Sequence, residues 1–198
     1  MTVPQNWSAG LKGSLFDRTA EVRSALAGAS REAALANIAK TTAITSKRYL
    51  VVHRTSLAYA KPPIEDREMT AVDLAMAYSS DASLGTGLCV PYHAIIAPHV
   101  CEQVLPWESL GAHAKGYNED SIAIAIVSKQ TAPAEQITAL VAAVAGIIKL
   151  FPHLKIVGHH HPNNDDMHLH GASKDETKLC PEPVVLMSWL LAEVGKLL

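Results

Sequence analysis

The chain has 198 residues, of which 48% are hydrophobic and 18% charged, and its formal net charge is -2. This length suits one domain with a full core rather than two, and this composition excludes a disordered chain. There is no basic excess and no window approaches ~18 uncharged apolar residues, so we expect neither a nucleic-acid partner nor membrane insertion.

The N-terminal part of the chain predicts a helical extension. Residues 1–7 lack the basic flank and apolar stretch of a signal peptide, so we expect a protein made in the cytoplasm. Residues 14–40 are rich in Ala, Leu, Glu and Arg and predict one or two helices. The apolar residues with helical spacing are Val22, Leu26, Ala29 and Ala33. We assign residues 1–45 to this extension, packed on a domain formed by residues 46–198.

Short apolar runs predict five strands, at residues 48–53, 92–96, 99–105, 121–127 and 155–158. The first is too short for a helix and is rich in β-branched and aromatic residues, which is typical of a buried strand. The fourth alternates Ile with Ala, which predicts a strand covered on both faces. Its small alanines are expected to let a helix approach closely.

Three further helices are predicted between and after these strands. Thr70 is placed as the N-cap of a helix over residues 71–77. Pro133, placed as a first-turn proline, precedes a long amphipathic helix. Residues 184–198 form a last helix that is apolar over most of its surface, so we expect it to be largely buried or docked on a partner. This alternation predicts an α/β fold, a single domain with a central mixed β-sheet flanked by helices.

The residues that can bear chemistry lie at or after the ends of predicted strands. His53 ends the first strand, His159 follows the last, and Cys180 lies further along the chain. Two imidazoles and one thiolate leave a fourth tetrahedral position open, as in catalytic zinc sites. A lone histidine after a strand is more often structural, so the convergence of all three side chains decides the interpretation. Cys89, Cys101 and Cys180 cannot all pair, and their spacing fits reduced thiols rather than a disulfide framework.

Four motifs resemble one enzyme family. The stretch from His113 to Ile122 is similar to the His-Ala-Lys-Gly-Tyr-Asn-x-x-Ser-Ile segment of the zinc amidases of T-odd coliphages. These are type 2 N-acetylmuramoyl-L-alanine amidases, which share a fold with animal peptidoglycan recognition proteins. Three further segments fall in the family's order: Val51–Thr55, Tyr92-His93, and Gly158-His159 with Lys178–Pro181. The resemblance covers about residues 48–182 and implies that 46–198 is a zinc amidase catalytic domain.

The resemblance implies a reaction and roles for the matching residues. The family hydrolyses the amide bond between N-acetylmuramic acid and L-alanine in peptidoglycan. By this resemblance His53, His159 and Cys180 bind one Zn2+ per chain, and zinc lowers the pKa of bound water toward ~7. Tyr92 and Lys178 are implied as catalytic residues that stabilise the oxyanion of the tetrahedral intermediate.

The remaining polar residues of the motifs allow two roles each. His113 and Asn118 are assigned to substrate binding, with fixing the loop backbone as the equal alternative, and His93 is expected to be structural. Twenty residues separate His159 from Cys180, a longer connection than in the phage amidases. His160 and His161 are therefore alternative ligands, and we keep His159 because it directly follows the strand end, as in the family. The polar segment 163–173, with His168 and His170, is expected to help recognise the glycan or stem peptide.

Two functional classes follow from these motifs. The leading hypothesis is a monomeric zinc amidase acting on the muramyl peptides of peptidoglycan, as a bacteriolytic phage or prophage endolysin made in the cytoplasm and acting on the cell wall after release. A bacterial toxin delivered by a secretion machine would have the same motifs. The alternative is a non-catalytic peptidoglycan-binding module, although such relatives typically lack the cysteine. A histidine-rich metal buffer would leave the other motifs unexplained.

Overall fold

The computed structural model describes residues 15–55, 70–80, 87–97, 100–128, 131–159, 180–181 and 184–198. The strands are β1 (Phe16–Asp17), β2 (Tyr49–Thr55), β3 (Ala94–Ala97), β4 (Val100–Gln103), β5 (Ser121–Val127) and β6 (Lys155–Gly158). The α-helices are α1 (Thr19–Gly28), α2 (Glu32–Ala39), α3 (Ala71–Ser80), α4 (Ala134–Leu150) and α5 (Met187–Gly195). None of the helices in these described ranges is long and apolar enough to cross a membrane.

The strands form one mixed sheet in the order β1-β4-β3-β5-β2-β6. β2 runs parallel to both β5 and β6, and β3 runs parallel to β5. Only β4 runs antiparallel to its neighbour β3 among the described pairs. Every residue of the central strand β5 is buried, because both faces of the sheet are covered. The predicted α/β domain with a central mixed sheet is therefore confirmed.

One face of the sheet is covered by α4 and α5. Leu50, Val52 and the isoleucines of β5 form a single apolar cluster with side chains from both helices. Each fully buried Leu or Ile in such a cluster contributes roughly 1.5–3 kcal/mol to stability. Residues 139–148 of α4 are all buried, so this helix is enclosed on all sides there rather than along one stripe. The amphipathic pattern correctly predicted this helix, but it indicated burial along one stripe only.

The alanines of β5 face the other way from α4. The parallel register places Ala123 opposite Val51 and Ala125 opposite His53, and residues opposite each other in paired strands point to the same face. α4 packs on the isoleucine face. The alanines lie on the face that carries His53, so α4 is not a helix that they admit, and the wider expectation stays a prediction.

On that second face, α1, α2 and α3 pack over β3 and its neighbours. The two predicted N-terminal helices are present, but Ala29 and Ala33 are exposed, which corrects the predicted apolar stripe. The helical conformation is interrupted at Ser30, whose φ is 53°. The residues of α2 that face the sheet therefore do not continue the spacing of those in α1. Helix α2 buries Ala34 and Ile38 instead. The boundary at residue 45 stays a prediction.

Thr70 caps the N-terminus of α3, as predicted, and with Asp73 it forms a capping box. Thr70 Oγ1 accepts a hydrogen bond from the backbone N–H of Asp73 at 3.1 Å. Asp73 Oδ2 accepts the backbone N–H of Thr70 at 2.9 Å. This reciprocal pair satisfies two backbone donors that the helix itself leaves unpaired.

The last helix is only partly buried. α5 buries Met187, Leu190 and Val194, whereas Trp189 and Leu191 are 42% and 44% exposed. The expectation of a largely buried helix is therefore wrong for one side of α5. Its docking on a partner stays a prediction.

Candidate metal centre

Parallel pairing of β2 with β6 brings two histidines together. Val51 lies opposite Val157. His53 and His159 each follow two residues later, so they lie on the same face of the sheet, at the carboxyl ends of the two strands. The backbone N–H of His159 extends the ladder by donating to the carbonyl of Val52 at 3.2 Å. The two imidazole rings lie with their centroids 4.3 Å apart.

Cys180 lies against the same two strands. The backbone N–H of Arg54 donates a hydrogen bond to Cys180 Sγ at 3.2 Å. A Cβ at Gly158 would lie 3.0 Å from the carbonyl oxygen of Cys180 and 3.1 Å from side-chain carbons of Met187 and Pro181. Glycine at this position therefore permits the close approach of the cysteine segment, in which the Cys180-Pro181 peptide bond is cis.

The three side chains converge, as the sequence predicted. One ligand atom from each of His53, His159 and Cys180 lies within 4.8 Å of the others. Ligands of tetrahedral zinc lie about 2.0–2.3 Å from the ion, so small side-chain movements suffice to place all three around one ion. Imidazole and thiolate donors fit zinc and exclude the oxygen-preferring Mg²⁺ and Ca²⁺. Zinc ligation itself stays a prediction.

The protonation of the cysteine depends on its surroundings. Burial raises the pKa of the Cys180 thiol to about 11, and the hydrogen bond from the Arg54 backbone acts in the opposite direction. A metal ion favours the thiolate much more strongly than a backbone N–H does, because only the deprotonated sulfur binds metal. The donor set is thus suited to a bound cation.

Tyr92 lies beside this cluster. It precedes β3 rather than lying within it, and its ring centroid is 5.2 Å from that of His53. Tyr78 of α3 packs edge-on against the Tyr92 ring, with centroids 5.7 Å apart. The aromatic ring is thereby placed next to the candidate ligands, and the catalytic role of Tyr92 stays a prediction.

Several predicted residues lie outside the described ranges. They are Lys178, His160 and His161, and the segment 163–173 with His168 and His170. The catalytic role of Lys178, the choice among adjacent histidines, and the recognition role of the segment stay predictions.

Asn118 fixes the backbone of the loop that carries His113. Its Oδ1 accepts the backbone N–H groups of His113 and Ala114, at 3.0 and 2.9 Å. The buried side chain of His113 lies between two partners, with Nδ1 3.1 Å from His53 Nε2 and Nε2 3.2 Å from Ser121 Oγ. Burial lowers the pKa of His113 well below its usual value, so the ring is neutral. These contacts favour the alternative of fixing the loop, and substrate binding stays a prediction.

His93 is held in a structural position. Its Nδ1 accepts the backbone N–H of Ala123 at 3.0 Å, so Nε2 carries the proton and donates to the carbonyl of Ser109 at 2.9 Å. Burial lowers the pKa of His93 to about 3. The neutral ring therefore links β5 to the loop before His113, in agreement with the structural role expected from sequence.

Lys47 supports the site in a way that the sequence does not predict. Its side chain is buried, and Nζ donates to the carbonyls of Ser109 and Ser121 at 3.2 and 3.0 Å. Burial lowers the pKa of Lys47 to about 8. A lysine directly before an apolar strand is usually solvated, so sequence alone gave no signal for this contact.

Gly111 permits the tight packing of the same loop. A Cβ there would lie 2.4 Å from the carbonyl oxygen of Pro91 and 2.7 Å from the His113 ring. Such contacts are too short for any side chain, so the loop can approach only with glycine at this position.

Comparison with known proteins gives one family. Residues 40–183, which include the whole cluster, match the family model Amidase_2, described as N-acetylmuramoyl-L-alanine amidase. No curated protein sequence matches this chain.

Solved structures resemble the fold over most of the chain. The Ph2119 endolysin from Thermus scotoductus MAT2119 bacteriophage Ph2119 has a TM-score of 0.56 and 16% identity, over 91% of this chain and 97% of that one. The endolysin LysCS from Clostridium intestinale URNW has a TM-score of 0.54 and 17% identity, over 80% and 90%. A selenomethionine derivative of AmpD has a TM-score of 0.51 and 18% identity, over 75% and 84%. At these identities the likeness shows the fold alone.

Proposed function

This chain belongs to the N-acetylmuramoyl-L-alanine amidase family, and we propose that it is a zinc-dependent member. Membership makes it a peptidoglycan amidase, an enzyme that cleaves the bond between N-acetylmuramic acid and L-alanine. The observation that carries the zinc proposal is the convergence of His53, His159 and Cys180 within 4.8 Å. All three residues lie inside the matched region.

The ligands in this proposal are His53, His159 and Cys180, holding one zinc ion per chain. Their number leaves one tetrahedral position open to the reaction. Zinc in such a site supplies Lewis acidity, which polarises a carbonyl and acidifies water. The backbone N–H of Arg54, donated to Cys180 Sγ, favours the thiolate that binds metal.

Tyr92 and Lys178 supply donors to the reacting carbonyl. An amide carbon attacked by water becomes tetrahedral, and its oxygen gains negative charge. The ring of Tyr92 lies 5.2 Å from that of His53 and packs against Tyr78, which supports a role for its hydroxyl because a restrained donor needs little reorganisation when substrate binds. Lys178, two residues before Cys180, brings a cation by its position in the family motif.

The biological role we propose is that of a phage or prophage endolysin. Two structures with the same fold are endolysins, and the free cysteines suit a chain that folds in a reducing compartment before release. The enzyme would act as a monomer on the muramyl peptides of the cell wall, with a bacteriolytic effect. A toxin delivered by a secretion machine would use the same chemistry.

Digestion of purified peptidoglycan tests the reaction and its metal together. We expect free stem peptides that begin with L-alanine in the mass spectrum, lost on chelation and restored by added zinc. Tight sedimentation with the wall and no released peptide would contradict catalysis and indicate a binding module. Release that persists after complete removal of metal would contradict the zinc assignment alone.

A further inference from the structure

A metal ligand imidazole needs its lone pair on the correct nitrogen. Neutral histidine carries one N–H and one lone pair, and a metal binds only the nitrogen with the lone pair. His53 Nε2 lies 3.1 Å from Nδ1 of His113, so one of these two nitrogens donates and the other accepts. The direction of this hydrogen bond decides which atom of His53 can bind zinc.

The direction can be traced from the other end of the chain of contacts. Ser121 Oγ lies 2.6 Å from the carbonyl oxygen of Tyr117, which has no proton, so the hydroxyl donates there. Ser121 Oγ must then accept from Nε2 of His113, 3.2 Å away. His113 is buried, where an imidazole with a single N–H is favoured, so with Nε2 donating its Nδ1 holds the lone pair. His53 Nε2 is therefore the donor to His113.

We infer that His113 is a positioning residue that sets the tautomer of His53. By accepting the Nε2 proton, it leaves the lone pair of His53 on Nδ1, which becomes the atom that binds zinc. Other ligand histidines commonly donate to a carboxylate or a backbone carbonyl. Here the acceptor is a neutral imidazole, whose own tautomer Ser121 fixes. The inference rests on the proposed zinc site and adds the source of its pre-organisation.

The acceptor is held in place before any metal binds. The rings of His53 and His113 meet edge to face, with an interplanar angle of 86°. Asn118 holds the backbone N–H groups on either side of the His113 α-carbon, and Gly111 lets the loop pack against Pro91. A ligand with a fixed tautomer and orientation loses less entropy on metal binding.

The zinc affinity of His113 variants tests the inference. His113→Leu removes the acceptor, while His113→Asn keeps an acceptor oxygen near the position of Nδ1. Measured by competition with a chromogenic chelator, zinc affinity should fall about 10–100-fold in His113→Leu and recover largely in His113→Asn. His153→Leu, the same change at an exposed histidine, should bind zinc as the unaltered chain does.

The metal-free protein gives a second readout. In ¹H–¹⁵N spectra, His53 should be protonated at Nε2 in the unaltered chain, and a mixture of tautomers should appear in His113→Leu. If His113→Leu does not fold, Ser121→Ala replaces it, because removing the hydroxyl frees the tautomer of His113 and thereby that of His53. A single unchanged His53 tautomer in the folded variant overturns the inference.

The outcomes separate this inference from the function on which it rests. Failure of the unaltered chain to bind zinc overturns the zinc function itself. Zinc binding and peptide release by the unaltered chain, with undiminished affinity in His113→Leu, overturn only the positioning role. Equal losses in His113→Leu and His113→Asn would reveal a packing defect and also overturn it.

Discussion

The same strands present different kinds of side chain on the two faces of the sheet. On one face, Leu50 and Val52 of β2 pack with the isoleucines of β5 against α4 and α5. On the other, His53 of β2 lies opposite Ala125 of β5, and buried polar side chains support it. The first face stabilises the fold by removing apolar surface from water. The second face also has an apolar cluster under α1, α2 and α3, but around His53 it uses hydrogen bonds to hold imidazoles in one orientation.

This difference has an energetic cause. A buried polar group loses its hydration, and a hydrogen bond offsets that loss with a net gain of only about 1 kcal/mol. Lys47, His93 and His113 therefore add little stability for their volume. Their fixed partners instead define the orientation and tautomer of the groups around the metal centre. We accordingly expect changes on the two faces to affect different properties.

Leu140→Ala should give the largest loss of stability. This fully buried residue of α4 belongs to the apolar cluster, so its truncation should lower the free energy of unfolding by about 2–5 kcal/mol. Urea denaturation measures the loss, and zinc affinity of the folded variant should not change. Leu150→Ala, at a position 65% exposed on the same helix, is the matched control. An equal effect of both changes would contradict the role of the buried cluster.

Tyr92→Phe should do the opposite, impairing catalysis and leaving the fold intact. Loss of one hydroxyl donor to the oxyanion should lower kcat by about 10²–10³, with zinc content unchanged. Steady-state release of stem peptides measures it. Tyr49→Phe, in a buried tyrosine at the far end of β2, should have no such effect. Full activity of Tyr92→Phe would remove Tyr92 from the mechanism.

Lys47 should make stability depend on pH through the polar face. Its pKa is about 8 in the folded protein and 10.5 without burial, so between these values the unfolded chain binds more protons. Stability should therefore rise as pH increases from about 8 to 10.5, by up to about 3 kcal/mol.

Urea denaturation at a series of pH values checks the contribution of Lys47. The rise should disappear in Lys47→Met and persist in Lys149→Met, which removes an exposed lysine. A rise of the same size in Lys47→Met would show that another group causes it.

Gly158→Ala should lower both stability and zinc affinity, because Gly158 lies next to the cysteine segment and to Met187 of the apolar cluster. Its added Cβ would press on the carbonyl of Cys180 and on Met187 of α5. Stability should fall by about 1–3 kcal/mol, and zinc affinity should fall with it. Gly195→Ala is the control, since a Cβ there meets nothing within 4 Å. Loss of stability without loss of zinc affinity would show that the packing of Cys180 against Gly158 does not contribute to zinc binding.

Local sequence patterns predicted the strands and helices. Contacts between residues far apart in sequence determine which face each side chain occupies and whether it is buried. Alternation in Ser121–Val127 was enough to predict β5, and the flanking residues were enough to predict the capped start of α3. Which face the alanines occupy depends on the register with β2, a parallel pairing about 70 residues away in sequence. The burial of Lys47 likewise depends on tertiary contacts, since its Nζ donates to the carbonyls of Ser109 and Ser121.

The candidate site was partly predictable for the same reason. Motifs in the family's order identified His53, His159 and Cys180 before the structure joined them. The role of His113 could not be decided, because its partners His53 and Ser121 lie 60 and 8 residues away. A hydrogen-bond direction requires the whole chain of partners, which no sequence pattern contains.

X-ray absorption at the zinc edge tests the central claim most directly. The zinc-loaded protein should show one ion per chain, with two nitrogens at about 2.0–2.1 Å and one sulfur at about 2.3 Å. The sulfur signal should vanish in Cys180→Ser and persist in Cys89→Ser. A zinc ion surrounded by imidazoles without sulfur would contradict the site formed by His53, His159 and Cys180.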